Sequence, residues 1–196
     1  MQPPTLLWDV MDTLVVDPFY EAMPAFFDMT LEQMLRLKHP TAWVRFERGE
    51  LTEAEFLAMF FEDGRRYDTS GFTACVRASY RWIEGMESLL QGLRDSGVQM
   101  HALSNYPEWF RWVEERLGVS RYVTWSFVSC RTGVRKPDAA AFRLAARQLQ
   151  RDPGACLFID DQVRNCEAAR ASGMRAIHFQ GDVARLRRAL SENGVP

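Results

Sequence analysis

Short apolar runs that each stop abruptly at a polar residue govern what this chain can fold into. Leu6-Leu7-Trp8 ends in Asp9-Val10-Met11-Asp12-Thr13. Val98-Gln99-Met100-His101-Ala102-Leu103 ends in Ser104-Asn105, and Ala155-Cys156-Leu157-Phe158-Ile159 ends in Asp160-Asp161. Runs this short, three to six residues bounded by turn signals, are strand length rather than helix length. Helical patterns separate these runs. One carries Met86, Leu89, Leu90 and Leu93 and ends near Gly97; others follow Pro107 to Gly118 and Pro137 to about Leu149. Val123–Val128 and Met174–Phe179 complete the strand set, the latter after Gly173, and a last helix covers Val183–Leu190. Strands alternating with helices predict a parallel sheet covered on both faces, an α/β fold of three-layer Rossmann-like form.

The segment between the first strand and Gly85 breaks this rhythm. Thr52-Glu53-Ala54-Glu55 is a capping box ahead of Phe56, Leu57, Phe60 and Phe61, and Thr30 can cap a helix with Leu31, Met34 and Leu35 on one face. The expected division is a Rossmann-like core made of residues 1–15 and 84–196, with an α-helical cap of residues 16–83 inserted after strand 1. Aromatic residues are dense in the insert and read chiefly as its core.

Composition excludes several classes. The net charge is -2, with 24 basic against 26 acidic residues and no basic stripe, so nucleic acid is not an expected partner. No apolar run reaches the ~20 residues of a membrane span, and none resembles a signal peptide. Cys75, Cys130, Cys156 and Cys166 lie far apart, which predicts reduced thiols and a cytoplasmic protein. His39, His101 and His178 are scattered without zinc-ligand spacing. Only two of the 24 basic residues are lysines, Lys38 and Lys136. A compact ammonium differs from a guanidinium in a tight anion site, which singles out Lys136.

Open α/β sheets bind ligands beyond the C-terminal ends of their strands. Asp9, Ser104, Lys136 and the Asp160-Asp161 pair all fall there. Each alone reads as a cap, a turn residue or a surface charge; together they read as an active site. Asp9-Val10-Met11-Asp12-Thr13-Leu14, Ser104-Asn105, Arg135-Lys136-Pro137-Asp138 and Asp160-Asp161-Gln162-Val163-Arg164-Asn165 resemble, in order, the four motifs of the haloacid dehalogenase-like (HAD) hydrolases. The first departs from the family pattern. Met11 stands where the second Asp belongs, and Asp12 where Gly belongs.

The resemblance implies a Mg²⁺-dependent hydrolase acting on a small phosphorylated metabolite through an aspartyl-phosphate on Asp9. Asp9, Asp160, Asp161 and the backbone carbonyl of Met11 would hold the metal. Lys136 would supply positive charge, Ser104 and Thr13 would hold phosphate oxygens beside Asn105, and Asn165 would brace the loop after the Asp pair. In such phosphatases the second Asp transfers protons, so Met11 leaves that role to Asp12, to solvent or to the substrate. Asp9-Val10-Met11-Asp12-Thr13 with Asp17-Pro18-Phe19-Tyr20 and Lys38-His39-Pro40 also resembles the FMN hydrolases of plant chloroplasts, which implies FMN as substrate. A plastid location would require a transit segment. Two other readings stay open: a metal-free 2-haloacid dehalogenase using Asp9, disfavoured by the carboxylate pair facing it, and a catalytically silent phosphate-binding or interaction protein. Oligomeric state is not legible in the sequence.

Overall fold

A computed structural model describes residues 3–196; the first two residues of the expected core segment lie outside the described residues. Strand β1 (Thr5–Trp8) is followed by five short helices: α1 (Ala22–Phe26), α2 (Leu31–Leu37), α3 (Ala42–Glu47), α4 (Glu53–Ala58) and α5 (Thr69–Ser79). Then come α6 (Met86–Asp95), β2 (Met100–Ser104), α7 (Phe110–Leu117), β3 (Thr124–Val128), α8 (Ser129–Thr132) and α9 (Ala139–Gln148). The chain finishes with β4 (Cys156–Asp160), α10 (Val163–Ala171), β5 (Arg175–His178) and α11 (Val183–Glu192).

The five strands form one sheet in the order β3-β2-β1-β4-β5, with every pairing parallel. β1 is central, which explains why Leu6, Leu7 and Trp8 are all fully buried. The pleat sends alternate side chains to opposite faces. Leu6 and Trp8 join the cluster built from α6, α7 and α11, whereas Leu7 joins Phe127, Phe142 and Phe158 under α9. This is the three-layer α/β arrangement read from the sequence. The chain runs outward from β1 through β2 to β3 and then crosses to β4 on the other side. The order therefore reverses beside β1, the place where such sheets open a crevice.

Pro107 and Pro137 precede their helices by a short turn instead of opening them. α7 begins at Phe110, and α9 begins at Ala139, where the Asp138 side chain caps the first turn by accepting from Ala140 N at 2.8 Å. The capping boxes at Thr30 and Thr52 both form.

The segment that carries α1–α5 leaves and returns at one place. Val16 N donates to Arg81 O at 3.0 Å and Ile83 N to Leu14 O at 3.0 Å, with Val15 and Trp82 paired antiparallel between them. Its aromatics are mostly packing: Phe46 and Phe56 stack at 4.5 Å, and Trp109 from the turn before α7 meets both edge-on. Trp109 Nε1 also donates to Glu53 at 2.7 Å.

Candidate active site

The register sets the site. Asp9 N donates to Ile159 O at 2.9 Å, so the carboxylates of Asp9 and Asp160 emerge side by side from β1 and β4. Between them lies Lys136, whose Nζ is 2.7 Å from Asp9 Oδ1 and 2.6 Å from Asp160 Oδ2. All three are buried. Burial works against the ammonium, but Asp160 and Asp9 outweigh it and hold Lys136 above its usual range. Burial also pushes the Asp9 carboxyl well above the usual carboxylate range against the pull of Lys136, and the Asp160 and Asp161 charges add to that push.

The supports around this pair are specific. Asn105, just past β2, accepts from Lys136 N and donates to Lys136 O, each at 2.8 Å. Asn165 on α10 donates to both Asp160 oxygens at 3.1 Å, and Gln162 N donates to Asp160 Oδ1 at 2.7 Å. Thr13 Oγ accepts from Asp161 N at 3.1 Å and lies 3.5 Å from Asp9 Oδ2. The Ser104 hydroxyl is buried and has no hydrogen-bond partner among the described residues, which is costly unless something else uses it. The carboxylate oxygens of Asp9, Asp160 and Asp161 lie within 4.8 Å of one another. An all-oxygen set of this kind suits a hard divalent cation.

Asp12 sits at φ 53°, a left-handed conformation that Gly adopts freely and Asp tolerates. That accounts for a position where the motif carries Gly. Its Oδ1 accepts from Asp17 N at 2.9 Å. Burial raises its carboxyl above the usual value.

These groups open onto a cavity of about 200 Å³ whose lining includes Asp9, Met11, Asp12, Lys136 and Asp161. The profile of the haloacid dehalogenase-like hydrolases matches residues 5–173. The chain belongs to the HAD-like hydrolase family. It is 42% identical over 192 residues to the chloroplastic flavin mononucleotide hydrolase 1 of Arabidopsis thaliana, covering 98% of this chain and 78% of that one. A sesquiterpene phosphatase of Aspergillus oryzae is 25% identical over 166 residues, 80% of this chain and 81% of the relative. A HAD family enzyme of Bacteroides thetaiotaomicron, solved in complex with magnesium and inorganic phosphate, superposes with a TM-score of 0.74 at 21% identity, covering 94% of this chain and 99% of that one.

Within this HAD hydrolase the structure brings all the sequence-predicted positions to one end of the sheet. It also adds residues that the motifs do not contain: Asp17, Tyr20, Trp43 and Glu47 come from the helical segment, and they join Gln162 and Arg164 of the fourth motif in the cavity wall. Glu47 is buried and paired with Arg135 at 2.5 Å. Asp17-Pro18-Phe19-Tyr20 was visible as a run; Trp43 and Glu47 carried no signal, because only packing of α3 on the core brings them here. The histidines are occupied elsewhere: His39 Nδ1 accepts from Thr41 N and Ala42 N, His101 pairs with Ser126, and His178 Nε2 meets the Asp161 carbonyl at 2.8 Å. Among the described residues no helix is long and apolar enough to cross a membrane, and all four cysteines are free.

Proposed function

We propose that this HAD hydrolase is a Mg²⁺-dependent phosphomonoester phosphatase, with FMN as its substrate. One observation carries the reading: a buried Asp9 at the switch point of the sheet shares Lys136 with Asp160 and has Asp161 close by. A carboxylate attacking a phosphate ester is an anion meeting an anion, so the site must concentrate positive charge. Asp9, Asp161 and the Met11 carbonyl would hold Mg²⁺, with Asp160 direct or through water. When bound, the cation neutralises phosphoryl oxygens and offsets the crowding that raises the Asp9 carboxyl. Lys136 holds a further phosphoryl oxygen with Asn105 beside it in the cavity wall, and the buried Ser104 and Thr13 hydroxyls are the further donors this reading assigns to phosphate. Asp9 attacks phosphorus, the ester oxygen departs as the alcohol, and water then releases phosphate from the aspartyl-phosphate.

FMN rests on the 42% identity to the Arabidopsis hydrolase named for that substrate, and on the Tyr20 and Trp43 rings at the cavity wall, which suit a flat heteroaromatic leaving group. Residues 16–83 act as a cap that supplies this wall. Asp161, close to Asp9 and with no salt-bridge partner among the described residues, opposes the haloacid reading, since it would repel a 2-haloacid. Four free thiols fit a reducing compartment, the cytoplasm or a plastid. The test is phosphate release from a monoester panel including FMN, with Mg²⁺. Turnover that vanishes in Asp9→Asn is expected; no turnover above that control on any ester sinks the reading.

A further inference from the structure

We propose that Asp17 is the general acid and base of this site, taking the proton-transfer work that Met11 does not do. The inference rests on the phosphatase reading above. It starts from the cavity, whose wall carries five carboxyl groups: Asp9, Asp12, Asp17, Glu47 and Asp161. Four are committed elsewhere. Asp9 is bound to Lys136, Glu47 to Arg135, and Asp161 stands in the carboxylate cluster beside Asp9. Asp12 uses Oδ1 to hold the backbone N–H of Asp17. It is a positioning residue here, because it fixes the turn from which the Asp17 side chain projects.

Asp17 differs from these in two ways. No basic side chain pairs with it among the described residues, so nothing locks it as a carboxylate; its recorded partner is Phe19 N, which donates to Oδ1 at 2.9 Å. It also lines two cavities at once, the one that contains Asp9 and a second bounded by Pro18, Glu21, Tyr80 and Arg116. Tyr106, from the first cavity, and Tyr80, from the second, meet through their hydroxyls at 2.8 Å. A group that gives up a proton in the first half of a cycle and takes one back in the second needs contact with both substrate and water. Asp17 stands at that boundary.

The charge environment suits the role. Burial, with Asp12, Asp161 and Glu47 facing it, raises the Asp17 carboxyl to about 7, where half the molecules hold the proton at neutral pH. Tyr20, Tyr80 and Tyr106 are the other titratable neighbours, each held above its usual range by burial first. Glu21 and Arg81 pair with each other at 3.3 Å across the second cavity, with Arg116 beside them.

The step balances. An Asp9 oxygen bonds to phosphorus while the phosphorus–oxygen ester bond breaks, and its electron pair stays on the ester oxygen. That oxygen takes the Asp17 proton and leaves as the alcohol. The Asp17 carboxylate then removes a proton from water, whose oxygen attacks phosphorus. Phosphate departs, the Asp9 carboxylate is restored, and Asp17 holds a proton again.

The experiment compares the Mg²⁺-loaded wild type with Asp17→Asn, Asp17→Glu, Asp12→Asn and Asp9→Asn on FMN and on p-nitrophenyl phosphate. Asn keeps the acceptor for Phe19 N, so the turn is retained, and melting temperature checks folding. Asp17→Asn should lower kcat on FMN by ~10²–10⁴-fold and lose the fall in rate above about pH 7 expected of the wild type. Nitrophenolate needs no proton to leave, so Asp17→Asn should still release one burst of it per enzyme. Asp17→Glu should recover part of the rate. A wild-type rate and pH profile in Asp17→Asn, with Asp9→Asn inactive, overturns this role and leaves the phosphatase reading intact. A loss confined to Asp12→Asn overturns it in favour of Asp12. Absence of turnover in the wild type on both probes removes the phosphatase reading and this role together.

Discussion

Asn105 grips Lys136 from both sides of one peptide unit, accepting from its N–H and donating to its C=O at 2.8 Å each. The ammonium that bridges Asp9 and Asp160 is therefore aimed by a side chain from a different strand end. Asn105→Ala should lower kcat more than it raises KM, by ~10-fold or more, because it misplaces a charge without removing it. Steady-state kinetics with FMN, beside a melting curve, checks this.

Removing the charge itself has a different signature. Lys136→Met leaves Asp9 and Asp160 buried together without a cation. Breaking a buried pair in this way costs ~3–5 kcal/mol. Urea unfolding in chelator should show a loss of that order, and added Mg²⁺ should restore part of it.

Magnesium should stabilise the folded protein by an amount that grows with the logarithm of its concentration above the dissociation constant, ~2.7 kcal/mol at a hundred times that constant. The melting temperature of the wild type should rise with Mg²⁺, and that of Asp161→Asn should not. Equal shifts in both would move the metal away from Asp161.

Asp17 also leaves a mark on stability. Its carboxyl is raised to about 7 in the folded protein, against 3.8 for an ordinary aspartic acid. The folded state then favours the neutral form. The contribution is complete below about 3.8 and is lost progressively as pH rises through about 7. Asp17→Asn, which cannot ionise, should gain melting temperature over the wild type at about pH 8.5 and gain less at about pH 5.5.

Tyr20 and Trp43 should govern which ester is preferred. Trp43→Ala should raise KM for FMN by ~5-fold while leaving p-nitrophenyl phosphate nearly unaffected, the cost of losing one ring contact of ~1 kcal/mol. Parallel losses on both esters would assign Trp43 to packing alone.

The strand ends were legible because a buried parallel strand has to be apolar along its whole length, so the first carboxylate after Trp8 or Ile159 marks where the sheet stops. Asp9, Ser104 and Asp160-Asp161 could be placed for that reason, and Lys136 because lysine is so rare here. Glu47 and Trp43 could not. They sit on a short helix whose polar and aromatic residues look like any surface pattern, and only its docking against Trp109 and Tyr106 turns them toward Asp9. Asp12 and Asp17 lie between these extremes. Both were visible as acids near the nucleophile, but the left-handed turn that separates their duties is a property of the folded backbone.

The paired segments at 14–16 and 81–83 have a further consequence for the polymer. They bring the two ends of a long excursion into hydrogen-bonding contact, so the sheet sees a closed loop whatever its contents. Closure entropy grows only logarithmically with loop length, about 0.6 kcal/mol for each doubling. Beyond Asp17, the segment that carries Tyr20, Trp43 and Glu47 can therefore change length at little closure cost to the sheet, and substrate choice can diverge while Asp9 stays where it is.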